Sequence, residues 1–132
     1  MTKQQDFSMW SVNFILFCLA NFLYYGAFYL YIPVLPQYVE MLGGTPADIG
    51  LVGGAFGLSS FIIRPYLGKL ANEWGRKRMM LLGTISFALL FLLFGRVTGV
   101  VPLVVLRLAH GVCLAMYLAA SAAYIADYAP VD

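Results

Sequence analysis

Charged and polar positions divide the chain into four long apolar runs. The first, residues 7–39, carries no charged side chain across 33 positions. About 20 residues cross the hydrocarbon layer of a bilayer, whereas a signal-peptide core has only about 7–15. The run therefore predicts a membrane-spanning helix over about 9–32, which Pro33 and Pro36 should stop or bend. A polar stretch follows, residues 40–48, with Gly43-Gly44-Thr45-Pro46 as turn chemistry. Thr45 as a cap, Pro46 at the first helical position and Asp48 in the first turn predict a second helix over about 47–71. Arg64 and Pro65 interrupt its apolar pattern, and Pro65 should kink it. After a charged connector, residues 72–78, the uncharged run Met79–Gly95 predicts a third helix over about 78–96. Pro102 leads into a fourth, over about 101–127.

Composition excludes the alternative that these are core helices of a soluble domain. Of 132 residues, 62% are hydrophobic and 11% charged, less than half the roughly 25% typical of soluble domains. The excess apolar surface must face lipid, and disorder is excluded by the same numbers. The fold class is all-α integral membrane, with residues 1–132 as one transmembrane unit. Cys18 and Cys113 lie deep in apolar runs and read as small packing residues. The net charge of +2 says little, but its distribution says more. Lys3, Lys69, Arg76, Lys77 and Arg78 fall at one membrane face, and Arg96 beside Glu40 and Asp48 at the other. By the positive-inside rule both termini and the link between the second and third helices are cytoplasmic.

The helix faces carry the candidate chemistry. Gly50, Gly53, Gly54, Gly57 and Gly68 share a face of the second helix, suited either to tight packing or to sliding against a neighbour. On the fourth helix Arg107, His110, Leu114, Tyr117, Ser121 and Tyr124 recur every three or four positions. A stripe of that composition belongs against protein or a water-filled cavity. Gly111, Ala115, Ala119 and Ala123 form a separate stripe of small residues, which packs on another helix. The first helix repeats the idea with Asn13, Phe17, Asn21, Tyr24 and Phe28, for packing or for cavity lining. Its Tyr29 and Tyr31 fit an interfacial aromatic belt. An intramembrane charge costs a few kcal/mol, so Arg107 needs a partner or water. It serves either a structural ion pair or the handling of substrate and protons. His110, one turn on, is a packing residue or a proton carrier.

Enzyme chemistry is not written here. The sequence has no metal-ligand cluster, no nucleophile with a base and no phosphate loop, and it implies no cofactor. The Arg76-Lys77-Arg78 cluster is too short and too close to the bilayer to suggest nucleic acid.

The stretch Gly68-Lys69-Leu70-Ala71-Asn72-Glu73-Trp74-Gly75-Arg76-Lys77 resembles the signature loop of the major facilitator superfamily, G-x-L-a-D-r-x-G-r-k, which joins helices 2 and 3. Arg107-Leu108-Ala109-His110-Gly111 is similar to the R-x-x-q-G element of that family's proton-coupled efflux branch. The resemblance implies helices 1 to 4 of a six-helix half, in a twelve-helix transporter of a bacterial-type plasma membrane. The chain would then be a fragment whose partners are membrane lipid, the missing C-terminal helices, a small organic solute and protons. It also implies that Gly68, Asn72, Glu73, Gly75, Arg76 and Lys77 form a cytoplasmic gate, and that Arg107 takes part in proton coupling, with His110 beside it. Asn13, Asn21, Tyr24, Tyr117 and Ser121 would line the central cavity. Two departures stand out. The motif's aspartate is Asn72, so either Glu73 or Asp127 would have to supply the anion for Arg76. The membrane acid that many drug–proton antiporters carry in helix 1 is absent. The function expected is proton-coupled efflux of a small organic solute by alternating access. Its rivals are a small dimeric multidrug exporter and a four-helix structural or assembly subunit.

Overall fold

The computed structural model describes residues 11–128, the side chains of Asp127 and Tyr128 excepted. Five helices follow in order: α1 Val12–Tyr31, α2 Val34–Met41, α3 Pro46–Trp74, α4 Arg76–Phe94 and α5 Val100–Tyr128. Among the described residues all regular structure is helical. Four helices, α1, α3, α4 and α5, are long and apolar enough to cross a membrane.

Local chemistry sets the boundaries. Ser11 caps α1 by accepting a hydrogen bond from the Phe14 amide. Thr45 and Asp48 form a reciprocal capping box at the start of α3, with Pro46 at the first helical position. Two boundaries differ from the sequence reading. The chain does not leave the helical state after Pro33 but bends and resumes as α2. Pro36 sits in the first turn of α2, where its missing amide hydrogen is no loss. The third membrane helix begins at Arg76 rather than about 78, so Arg76, Lys77 and Arg78 form its first turn. Gly75 alone separates α3 from α4, at φ 89° and ψ 136°, a conformation open to glycine and strained for other residues.

The element at the centre is α5. Of its most apolar stretch 56% is buried, against 17%, 17% and 22% for α1, α3 and α4. Two close approaches hold it. A Cβ at Gly111 would collide with the Phe56 carbonyl and Ser59 Oγ of α3, and one at Gly83 of α4 would lie 3.1 Å from the Cys113 carbonyl and the Tyr117 amide. Such proximity is how helices associate where lipid removes the hydrophobic drive. Contacts advance together along α3 and α5, from Arg107 on Phe56 to Ala120 beside Leu67 and Ala71, so the two run parallel. On α4 they run in opposite order, Phe94 beside Leu103 and Gly83 beside Tyr117, so α4 is antiparallel to α5.

The glycine stripe of α3 behaves differently from either sequence expectation. A Cβ at Gly50, Gly53, Gly54, Gly57 or Gly68 would meet no described atom within 4 Å. Helix α3 turns Val52, Ala55, Ser60, Leu67 and Ala71 inward instead, and its glycines lie on the other side.

Candidate functional site

Aromatic ladders bring α1 to the bundle. Tyr24, Phe28 and Tyr31 follow i, i+4, i+7 spacing on α1, and Phe87, Phe91 and Phe94 do the same on α4. Tyr24 lies 5.0 Å from Phe87 and Tyr31 lies 5.0 Å from Phe94, centroid to centroid. Tyr24 also stacks on Tyr117 of α5, 3.9 Å apart and 10° from parallel. Phe17 and Tyr124 extend this seam at 4.6 Å.

Arg107 and His110 sit inside the enclosure so formed. Arg107 is 4% exposed. Its Nε donates a long hydrogen bond, 3.4 Å, to the Val52 carbonyl. Its guanidinium carbon lies 4.3 Å from the Phe56 ring centroid and 5.7 Å from that of Tyr31. The rings offer a cation about 0.5–2 kcal/mol of attraction but no hydrogen-bond acceptor. His110 is fully buried, with Phe87 at 4.1 Å, Phe94 at 5.6 Å and Phe56 at 5.9 Å.

Polar satisfaction fails here. Six buried polar atoms have no hydrogen-bond partner: Arg107 Nη1, both ring nitrogens of His110, and the hydroxyls of Tyr24, Tyr31 and Tyr117. Leaving one such group unpaired costs about 1–3 kcal/mol, more for a charged one. The seam can accept groups that bring acceptors to Arg107 and the hydroxyls. Among the described residues no cluster of His, Cys, Asp and Glu could hold a metal ion.

The sequence-derived candidates divide. Arg107, His110, Tyr24 and Tyr117 come together, yet as a packed seam rather than the wall of an open cavity, because the Tyr24–Tyr117 stack closes it. Ser121 is also buried rather than cavity-lining, its hydroxyl donating to the Leu118 carbonyl of its own helix. Asn21 likewise donates to its own helix, at the Phe17 carbonyl. Asn13 faces open space, in a groove of about 390 Å³ between α1, α4 and α5 that it shares with Phe17, Lys77 and Tyr124. Further along, the space between α1 and α4 is lined by Tyr24, Ala27, Thr84, Phe87 and Phe91.

The connector residues lie apart from the seam. Gly68 is half-buried, and Asn72, Glu73, Gly75 and Lys77 are exposed. Arg76 reaches across to α5 and donates to the Ala123 carbonyl at 2.6 Å. Glu73 forms no hydrogen bond or ion pair with a described residue, since it points outward from the last turn of α3. It therefore does not replace the missing aspartate beside Arg76 in this arrangement. The side chain of Asp127 lies outside the described residues.

Sequence reasoning missed Tyr31, Phe56, Phe87 and Phe94 as walls of the site. Tyr31 belongs to the seam, not to an interfacial belt. The matching aromatic spacings on α1 and α4 were the available signal.

The model of the Major Facilitator Superfamily matches residues 17–132. Multidrug resistance protein 2 of Bacillus subtilis (strain 168) is 35% identical over 98 residues, 74% of this chain and 24% of that protein. Quinolone resistance protein NorA of Staphylococcus aureus (strain Mu50 / ATCC 700699) is 37% identical over 101 residues, 76% of this chain and 26% of NorA. The chain spans about a quarter of the length of the curated relatives it matches.

Proposed function

The chain belongs to the major facilitator superfamily, and from that membership we propose that it works in secondary active efflux of small organic solutes across a bacterial-type plasma membrane. The names of its relatives, a multidrug and a quinolone resistance protein, supply the class of cargo. The single observation that carries the reading is the seam of α1 and α5, where Arg107, His110, Tyr24, Tyr31 and Tyr117 hold buried polar atoms without partners. A packed structural or assembly subunit gains nothing from such atoms. A transporter needs them when the seam parts.

In this reading α1 and α5 form one wall of a central cavity, and helices beyond the four described form the other. The packed seam is the closed state of that wall. Cargo reaches it when α1 swings away, and the freed tyrosines and Arg107 then meet water or solute. The chemistry moves solute without making or breaking its bonds, so the protein is a porter and not an enzyme. Protons drive the cycle, with Arg107 biasing the wall according to the charge beside it, and His110 adjoining it. The Lys77 end faces the cytoplasm, where Gly68, Asn72, Gly75, Arg76 and Lys77 act as a gate. The Arg76 contact with the Ala123 carbonyl latches α4 to α5 there.

The test is efflux of a fluorescent quinolone from proteoliposomes under an imposed pH gradient. Arg107→Ala should abolish gradient-driven efflux while protein abundance persists. Efflux with unaltered pH dependence in that variant removes Arg107 from the coupling scheme. No transport of any organic cation or quinolone by the wild type removes the efflux reading itself.

A further inference from the structure

The outward side of α3 carries a charge that neither the seam nor the gate uses. At about 100° per residue Arg64 falls within about 40° of Gly50, Gly57 and Gly68, on the open side of the helix. Its side chain is exposed and forms no hydrogen bond or ion pair with a described residue. The guanidinium is close enough to Tyr25 of α1 to act electrostatically on that hydroxyl. Phe61, one turn earlier on the same side, is 75% exposed.

Depth makes Arg64 unusual. The 29 residues of α3 extend about 43 Å, against a hydrocarbon layer of about 30 Å. A centred helix overhangs by about 6–7 Å at each end, which puts Lys69 within about 2 Å of the boundary and Arg64 about 8–9 Å inside it. Lys69 can snorkel to the headgroups. An arginine as deep as Arg64 pairs with an anion or faces water. The spans themselves supply no anion: residues 12–31, 49–71, 79–94 and 100–126 contain Arg64, Lys69 and Arg107 but no Asp or Glu.

We propose that Arg64 and Tyr25 form a carboxylate-binding site on the open α1–α3 front, taking an aromatic organic acid. The planar guanidinium matches both carboxylate oxygens, the phenol donates a further hydrogen bond to one of them, and Phe61 offers its face to the ring of the solute. As a binding site this stands independently of efflux. Only the identification of the organic acid as cargo rests on the efflux reading.

Phenylglyoxal modification of the protein in neutral phosphatidylcholine liposomes tests it, with labelling of the Arg64 peptide followed by mass spectrometry. Benzoate is the probe and benzamide its uncharged counterpart. Arg64 should label readily, with Arg107, buried under Phe56, as the unreactive internal control. Benzoate at about ten times its half-protecting concentration should slow Arg64 labelling about tenfold, and benzamide should leave it unchanged. Tyr25→Phe should raise the half-protecting concentration about fivefold. Labelling indifferent to benzoate overturns the site. So does an Arg64 that resists the reagent in ligand-free protein, because its guanidinium is then held by an acidic side chain from a neighbouring segment. Benzoate protection together with failed quinolone efflux upholds the site and sinks the cargo assignment alone.

Discussion

Replacing Gly111 by alanine tests the contact that centres α5 in the bundle. The added methyl would land on the Phe56 carbonyl oxygen and Ser59 Oγ and lie 3.2 Å from the Ser60 amide nitrogen. Ser59 can rotate away, at the loss of its 3.0 Å hydrogen bond to the Phe56 carbonyl. The two backbone atoms can move only with α3 itself. Overpacking costs about 1–3 kcal/mol, and a clash with rigid backbone belongs at the upper end. Removing a glycine from a helix interior returns about 1 kcal/mol, so the net loss is about 2 kcal/mol. Gly57→Ala is the matched control, because its methyl meets nothing within 4 Å and keeps only the propensity gain. The two variants should therefore differ by about 3 kcal/mol, or about 10 °C in melting temperature for a chain of this size. Thermal unfolding in detergent micelles, followed by circular dichroism, reads that difference. Equal melting temperatures, or Gly57→Ala melting first, would refute the assignment of the packed and open sides of α3.

Two other positions give sharp expectations. Gly75→Ala places a Cβ at φ 89° in the single-residue turn between α3 and α4 and should cost about 1–3 kcal/mol, read as a lower melting temperature and faster proteolysis near residues 72–78. A variant as stable and as resistant as the wild type would show that the turn adopts another conformation. Asp48→Ala removes the side-chain acceptor that Thr45 holds at 2.7 Å and should lose about 1 kcal/mol, whereas Asp48→Glu should recover part of it. Amide hydrogen exchange of residues 45–49 reports the fraying directly, and unchanged protection would count against the capping box.

How much of this was legible in the sequence depended on how local the cause was. The four spans are visible because bilayer thickness demands a long uncharged run. The start of α3 is visible because Thr45, Pro46 and Asp48 act within one turn. The restart at α2 was hidden by reading Pro33 and Pro36 only as stops, although a proline is acceptable in a first turn. The early start of α4 was hidden because three consecutive cations resemble a loop. Periodicity put Arg107, His110, Tyr117 and Ser121 on one stripe, but it could not say what covers that stripe. Glycine spacing pointed at Gly50 to Gly57, whereas the close contacts occur at Gly83 and Gly111. Close approach depends on which helix lies opposite, and spacing along one helix does not contain that information.

The same distinction bears on which helix moves during transport. Helices α3 and α4 are fixed to α5 by backbone-level contact at Gly111 and Gly83, where any displacement opens a void or forces a clash. Helix α1 has no comparable close backbone approach to α5 and meets it through rings, chiefly Tyr24 on Tyr117 and Phe17 on Tyr124. Ring pairs contribute about 0.5–1.5 kcal/mol each beyond burial. Beneath those rings lie polar atoms that each lose about 1–3 kcal/mol by lacking a partner, and water or a solute would return much of that once α1 moved. The gain from keeping the seam shut and the gain from hydrating it are thus of similar size. A two-state wall needs that balance, since a solute can shift an equilibrium only by its differential affinity for the two states. Helix α1 is therefore the element whose position cargo and protons can bias, with α3, α4 and α5 moving as the body against which it swings.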